Sequence, residues 1–237
     1  MNKPLQGKTA LVTGGGTGIG REIALALGRA GAAVAVSGRR LELLESVAAE
    51  LERSGARGRA LRADVREAAS VQAMVEAAER DWAPIDILIN NAAAFGRGEV
   101  AQLEPGRWSN VIATNLTGSF LVTRAVLPGM IERQSGSIVF VSSTSGKRGD
   151  AGMAAYSASK FGIMGLAHSL LYEVRRHNIR VIVVSPSAID TGPERPSPEP
   201  VAGVKPHAAD VADGVLACLT LPGRALVREL EIWGTNP

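Results

Sequence analysis

Apolar, β-rich runs of four to six residues recur along the chain at 9–13, 33–37, 58–61, 85–89, 137–141, 180–184 and 225–230. The intervals at 18–30, 41–53, 67–81, 105–132, 152–177 and 208–219 instead carry apolar residues at three- and four-residue spacing. The first pattern predicts seven strands and the second six helices. Their regular alternation predicts an α/β fold: a doubly wound, seven-stranded parallel sheet with helices on both faces. Right-handed crossovers in such a sheet collect the loops that follow the strands on one edge, where ligands bind at the reversal of strand order. At 237 residues the chain fits one domain over 1–237. The one break in composition is the proline-rich stretch 192–207, read as a short loop over the binding edge.

Composition adds little to this picture and removes several alternatives. Hydrophobic residues make up 46% and charged residues 21%, the balance of an ordinary globular domain. The net charge of +3 is spread through the chain without aromatic interleaving, so nucleic acid is not an expected partner. The single cysteine, Cys218, lies in an apolar helical run, which excludes an intrachain disulfide and predicts a buried thiol. Residues 1–8 show neither the apolar region nor the cleavage site of a signal peptide, and no apolar run reaches the length of a membrane span. A cytoplasmic protein that does not engage the membrane is expected.

Candidate chemistry begins after the first strand, where Thr13-Gly14-Gly15-Gly16-Thr17-Gly18-Ile19-Gly20 runs directly into a helix. Glycines let main-chain N–H groups approach a pyrophosphate, and the helix amino terminus favours its negative charge, so this turn predicts a dinucleotide cradle. The spacing is Gly-x-x-x-Gly-x-Gly, which departs from the usual Gly-x-Gly-x-x-Gly. The second strand ends Ser37-Gly38-Arg39-Arg40, without the acidic residue that would bond the ribose hydroxyls of NAD(H). Gly38 leaves space and Arg39 offers charge-assisted bonds to a 2′-phosphate, with Arg40 as a helper, which favours NADP(H) over NAD(H).

Tyr156 and Lys160 lie four residues apart early in a predicted helix, which places phenol and ammonium on one face. A lysine cation and a positively charged nicotinamide beside a phenol would lower its pKa and let it exchange a proton with a substrate oxygen. Ser142-Ser143, Asn115 and Asn90-Asn91-Ala92-Ala93 fall on the predicted binding edge.

Together with the glycine turn, these motifs resemble the short-chain dehydrogenase/reductase family, in its compact branch of single-domain Rossmann folds. The likeness spans roughly residues 5–192 and includes its 3-oxoacyl reductases. The resemblance implies that Tyr156 is the acid/base, that Lys160 holds the nicotinamide ribose and lowers the tyrosine pKa, and that Ser143 polarises the substrate carbonyl. It assigns Asn115 to a water-linked proton relay toward the lysine. It places Gly14, Gly16, Thr17, Gly18, Ile19 and Gly20 around the pyrophosphate, Asp64 and Val65 at the adenine, and Asn91 and Ala92 along the cofactor wall. Ile189 and Thr191 would meet the nicotinamide carboxamide, and no metal is required.

Three departures stand out: Ser187 and Ala93 replace customary glycines, and the carboxyl-terminal segment lacks the family's usual pattern. The implied activity is NADP(H)-dependent interconversion of a carbonyl and a secondary alcohol by hydride transfer, with a 3-oxoacyl thioester as one candidate substrate. Arg133, Arg175 and Arg176 are candidate contacts for an acyl carrier protein, or cations that complement a helix end. Pairing of the two long helices implies a homodimer or homotetramer. Two alternatives stay open: an NAD-linked alcohol dehydrogenase and a non-catalytic dinucleotide-binding sensor.

Overall fold

A computed structural model describes residues 3–80, 82–192 and 205–235. Seven strands form one parallel sheet: β1 (Thr9–Thr13), β2 (Ala33–Gly38), β3 (Gly58–Arg62), β4 (Ile87–Asn90), β5 (Gly136–Val141), β6 (Ile179–Pro186) and β7 (Glu229–Ile232). Their order is β3-β2-β1-β4-β5-β6-β7. Val12 on β1 is in register with Val36 on one side and Ile89 on the other, so the switch point opens between β1 and β4. Seven α-helices fill the crossovers: α1 (Gly18–Arg29), α2 (Leu41–Arg53), α3 (Ala68–Glu79), α4 (Pro105–Ile112), α5 (Gly118–Glu132), α6 (Ala154–Val174) and α7 (Ala208–Thr220).

Strand alternation sends successive side chains to opposite faces and builds two cores. Val12, Val34 and Ile89 meet Ile23, Leu51 and Val215 from α1, α2 and α7. Leu11, Leu88 and Phe140 meet Met74, Val122 and Ile163 from α3, α5 and α6. Each such side chain, once fully buried, contributes about 1.5–3 kcal/mol. Cys218 is buried on α7.

Four expectations shift. The predicted 105–132 helix is interrupted by a single π-turn over Ala113–Thr117, separating α4 from α5. Side-chain bonds from Asn115 to Ala94 hold this turn in place. The continuous Pro105–Glu132 stretch is also long and apolar enough to cross a membrane by length and composition, contrary to the sequence reading. Here its Val111, Val122, Val126 and Met130 are buried within the fold.

The predicted 152–177 helix starts only at Ala154, because Gly152 has φ +73, outside the right-handed helical region. It gives way to a 3-10 turn at Arg175–His177 before Asn178 at φ 56. The last strand begins four residues later than expected: Ala225 donates to the Pro222 carbonyl at 2.8 Å, so the chain is still turning there. The proline-rich loop falls largely outside the described residues; Gly192 and 205–207 are its described part.

Candidate active site

The glycine turn joins β1 to α1 at the switch point. Gly14 has φ +64, and an added Cβ would come within 2.9 Å of the Ala92 Cα. At Gly20 an added Cβ would overlap the Gly14 carbonyl and the Asn91 amide. Thr13, which sequence reasoning passed over, ties this turn to the wall beyond β4. Its hydroxyl donates to the Ile89 carbonyl at 3.2 Å and accepts from the Asn91 and Ala92 N–H groups at 3.0 and 3.1 Å. Asn91 Nδ2 in turn donates to the Thr13 and Gly14 carbonyls.

These elements line a cleft of about 620 Å³. Gly14, Gly16, Thr17, Ile19 and Gly20 form its floor, with Ala92 and Ala93 on one wall and Thr191 opposite. Gly18 has φ +54 and packs toward Thr191, while Ile189 packs on the first core. At the far end lie Gly38, Arg39, Arg40, Asp64 and Val65. The Asp64 carboxylate accepts from Arg66 Nε at 2.9 Å and from its Nη2 at 2.5 Å, and Arg66 also reaches Asn110 at 2.8 Å. The Arg66 hydrogen bond is the main reason the Asp64 carboxyl stays below its usual pKa, with a smaller contribution from the Arg39 charge.

The cleft fits a dinucleotide with a 2′-phosphate. Its floor is backbone that a side chain at Gly14 or Gly20 would block, and β2 is followed by two cations, Arg39 and Arg40, while the nearby Asp64 carboxylate is held by Arg66.

A second cavity of about 740 Å³ is lined by Ser143, Tyr156 and Ser187 among others. Ser143 follows β5 and caps a 3-10 turn at Thr144–Gly146, its hydroxyl accepting from Ser145 N–H at 3.1 Å. Ser143 and Tyr156 line this cavity together, and the Ser143 side chain acts to lower the Tyr156 pKa. The Tyr156 ring packs on Phe95, with centroids 4.9 Å apart.

One helical turn further along α6, the Lys160 ammonium lies 5.5 Å from the centre of the Tyr156 ring and donates to the Val141 carbonyl at 2.7 Å. Burial lowers its pKa to about 8. Burial also raises the Tyr156 pKa, only partly offset by the neighbouring Ser143 side chain. Within the polypeptide alone, without the nicotinamide charge that the expectation also invoked, desolvation dominates and favours the protonated phenol.

Asn115 is fully buried in the π-turn. Its Oδ1 accepts from Ala94 N–H at 2.7 Å, and its Nδ2 donates to the Ala94 carbonyl at 3.0 Å and to Ser159 Oγ at 2.9 Å. Ser159 Oγ donates to the Tyr156 carbonyl at 2.7 Å, so Asn115 connects to the first turn of α6 through Ser159. Ser142 is buried behind the site, its hydroxyl directed at the Lys160 carbonyl at 3.4 Å. Sequence reasoning passed over Ser159, Phe95 and Trp233. Ser159 lies inside the Tyr-x-x-x-Lys motif, whereas nothing local marks the two rings.

A parallel sheet with a glycine-floored cleft at its switch point, and a serine–tyrosine pair backed by a buried lysine, defines a nucleotide-dependent oxidoreductase of the doubly wound class. The family model for short chain dehydrogenase matches residues 8–201, and the chain belongs to that family. It is 37% identical over 195 residues to the 3-oxoacyl-acyl-carrier-protein reductase of Pseudomonas aeruginosa, covering 82% of this chain and 79% of that protein. It is 36% identical over 189 residues to the 2,3-dihydro-2,3-dihydroxybenzoate dehydrogenase of Bacillus subtilis, covering 80% and 72%. A metagenomic short-chain oxidoreductase solved in complex with NADP superposes with a TM-score of 0.85 at 31% identity, over 97% of both chains.

Proposed function

We propose that this chain is a single-domain, cytoplasmic, NADP(H)-dependent reductase of small carbonyl compounds that also runs in the alcohol-oxidising direction. The observation that carries this reading is that Ser143 and Tyr156 line the second cavity together, with the buried Lys160 one helical turn along α6 from Tyr156. NADPH bound in the cleft supplies the hydride. Ser143 and Tyr156 hold the substrate oxygen, and Tyr156 gives its proton to that oxygen as negative charge develops there. The raised phenol pKa keeps that proton available in the reductive direction. Lys160 holds the nicotinamide ribose, and the Val141 carbonyl fixes its ammonium. Asn115 holds the 94–95 segment and, through Ser159, the first turn of α6.

Support for NADP(H) over NAD(H) comes from Arg39 and Arg40 at the cleft end and from the NADP-bound relative. The Pseudomonas relative supports a 3-oxoacyl thioester as one substrate. Carrier-protein docking has less behind it, because Arg133 donates to the Ile85 carbonyl at 2.8 Å and so has a structural role. Exposed Phe120, Phe161 and Tyr172 on α5 and α6 support pairing of two copies through these helices, as a homodimer or as part of a homotetramer.

The test is NADPH oxidation over a panel of ketones, diketones and 3-oxoacyl thioesters. Tyr156→Phe should lower turnover by at least about 10²-fold while nucleotide affinity holds. Equal turnover in both proteins would overturn the assignment.

A further inference from the structure

The second cavity carries a charge pattern that carbonyl reduction does not require. Among the described residues its ionisable lining, Tyr156 aside, is Arg97, Arg148, Lys205 and Asp150, three cations against one carboxylate. Arg97 lies with its guanidinium carbon 5.9 Å from the Phe95 ring centre, and Arg148 lies 5.6 Å from that of Trp233. Neither guanidinium has a carboxylate partner among the described residues, whereas Arg66, Arg21 and Lys147 each have one. The distance to the chemistry is short. Arg97 lies over Phe95, the Phe95 ring packs at a tilt of 57° against Tyr156, and Arg148 follows Ser143 by five residues, its backbone N–H donating to the Thr144 carbonyl at 3.2 Å. An aromatic face restrains the guanidinium plane, and the fork of N–H donors matches an oxyanion bidentately. A concave site with excess cations also concentrates anions before binding.

We infer that the physiological substrate is a small carbonyl compound bearing its own oxyanion, held by Arg97 and Arg148 while its carbonyl meets Ser143 and Tyr156. This rests on the reading of Ser143 and Tyr156 as the carbonyl-binding pair. The two aromatic rings then wall the carbon skeleton between its charged and reacting ends.

The test uses protein loaded with NADP⁺ and matched probes that differ in charge: acetoacetate against methyl acetoacetate, and 2-oxopropylphosphonate against its dimethyl ester. Affinity is read by calorimetry, and reduction is followed separately with NADPH. At least one acid should bind ten times or more tightly than its ester. In the Arg97→Gln/Arg148→Gln double variant this preference should shrink to about twofold, with ester affinity and nucleotide affinity retained. Ester binding also reports that the variant is folded. The inference is overturned if neither acid outbinds its ester, or if the preference survives in the double variant.

The phosphonate and carboxylate arms separate the two anion chemistries. Acid and ester bound and reduced equally well would leave the carbonyl-reductase reading in place and remove this inference. Arginine-dependent acid binding without reduction of any probe would do the opposite.

Discussion

The Lys160 ammonium donates to the Val141 carbonyl at 2.7 Å and is otherwise enclosed by the fold, a cation held by one backbone dipole at the end of β5. Its pKa drops from 10.5 to about 8 for that reason. Between these values the unfolded chain binds a proton that the folded chain has released, so stability rises with pH across that window. Below about pH 8 the cost of burying the charge is felt in full. Lys160 should make the nucleotide-free protein more stable by about 2 kcal/mol at pH 9.5 than at pH 7.5. Urea midpoints measured across that range should lose most of their upward slope in Lys160→Met. An unchanged slope would place the titration on another group.

Asn115 closes three hydrogen bonds from a π-turn, so its replacement has a structural cost as well as a kinetic one. Asn115→Leu leaves the Ala94 N–H and carbonyl without their partners, at about 1–3 kcal/mol for each group that stays dry. Denaturant titration should show a loss of that order. Turnover should fall with it, because the 94–95 segment positions the Phe95 ring against Tyr156. A variant of wild-type stability would show that water replaces the amide.

Much of the fold was legible because strand and helix periods differ so clearly: 9–13 and 41–53 were read with the bounds that β1 and α2 show. The misses have local causes. The π-turn at Ala113–Thr117 depends on Ala94 and Ser159, which lie 21 and 44 residues from Asn115, and no window around Asn115 contains them. The late start of β7 reflects a turn at Pro222–Ala225 that an apolar run conceals. In the site, the glycine turn and Tyr156–Lys160 are contiguous motifs. The direction of the Tyr156 pKa shift depends on burial, which residue spacing does not encode. Arg97, Arg148 and Trp233 come together from three separate segments and carry no motif.

At Gly20 the obstruction is rigid. An alanine Cβ would meet the Gly14 carbonyl and the Asn91 amide, and both are already hydrogen-bonded to each other. Overpacking of this kind costs about 1–3 kcal/mol, and here the strain falls on the cradle itself. Gly20→Ala should therefore weaken NADPH binding tenfold or more, with a lower urea midpoint. Calorimetry showing wild-type affinity would mean that the turn relaxes without consequence.

On the proposed reading, Arg39 sets the choice between the two nicotinamide cofactors. It lies at the cleft end beside Gly38, exposed and without an ion-pair partner among the described residues, and its charge is felt at Asp64. A charge-assisted bond to a 2′-phosphate is worth about 1.5–3 kcal/mol, which corresponds to roughly 10–100-fold in affinity. Arg39→Asp removes that bond and sets a carboxylate against the phosphate, so NADPH affinity should fall by at least that factor. The same carboxylate accepts from ribose hydroxyls, so NADH affinity should hold or improve. Arg40→Gln should have a smaller effect, because the helper position adds charge without the principal bond. Titrating both nucleotides against the three proteins at two salt concentrations checks this. The wild-type and Arg40→Gln curves for NADPH should weaken with salt more than that of Arg39→Asp. Unchanged NADPH binding in Arg39→Asp would remove the basis for preferring NADP(H) and make the NAD-linked oxidative enzyme the better reading.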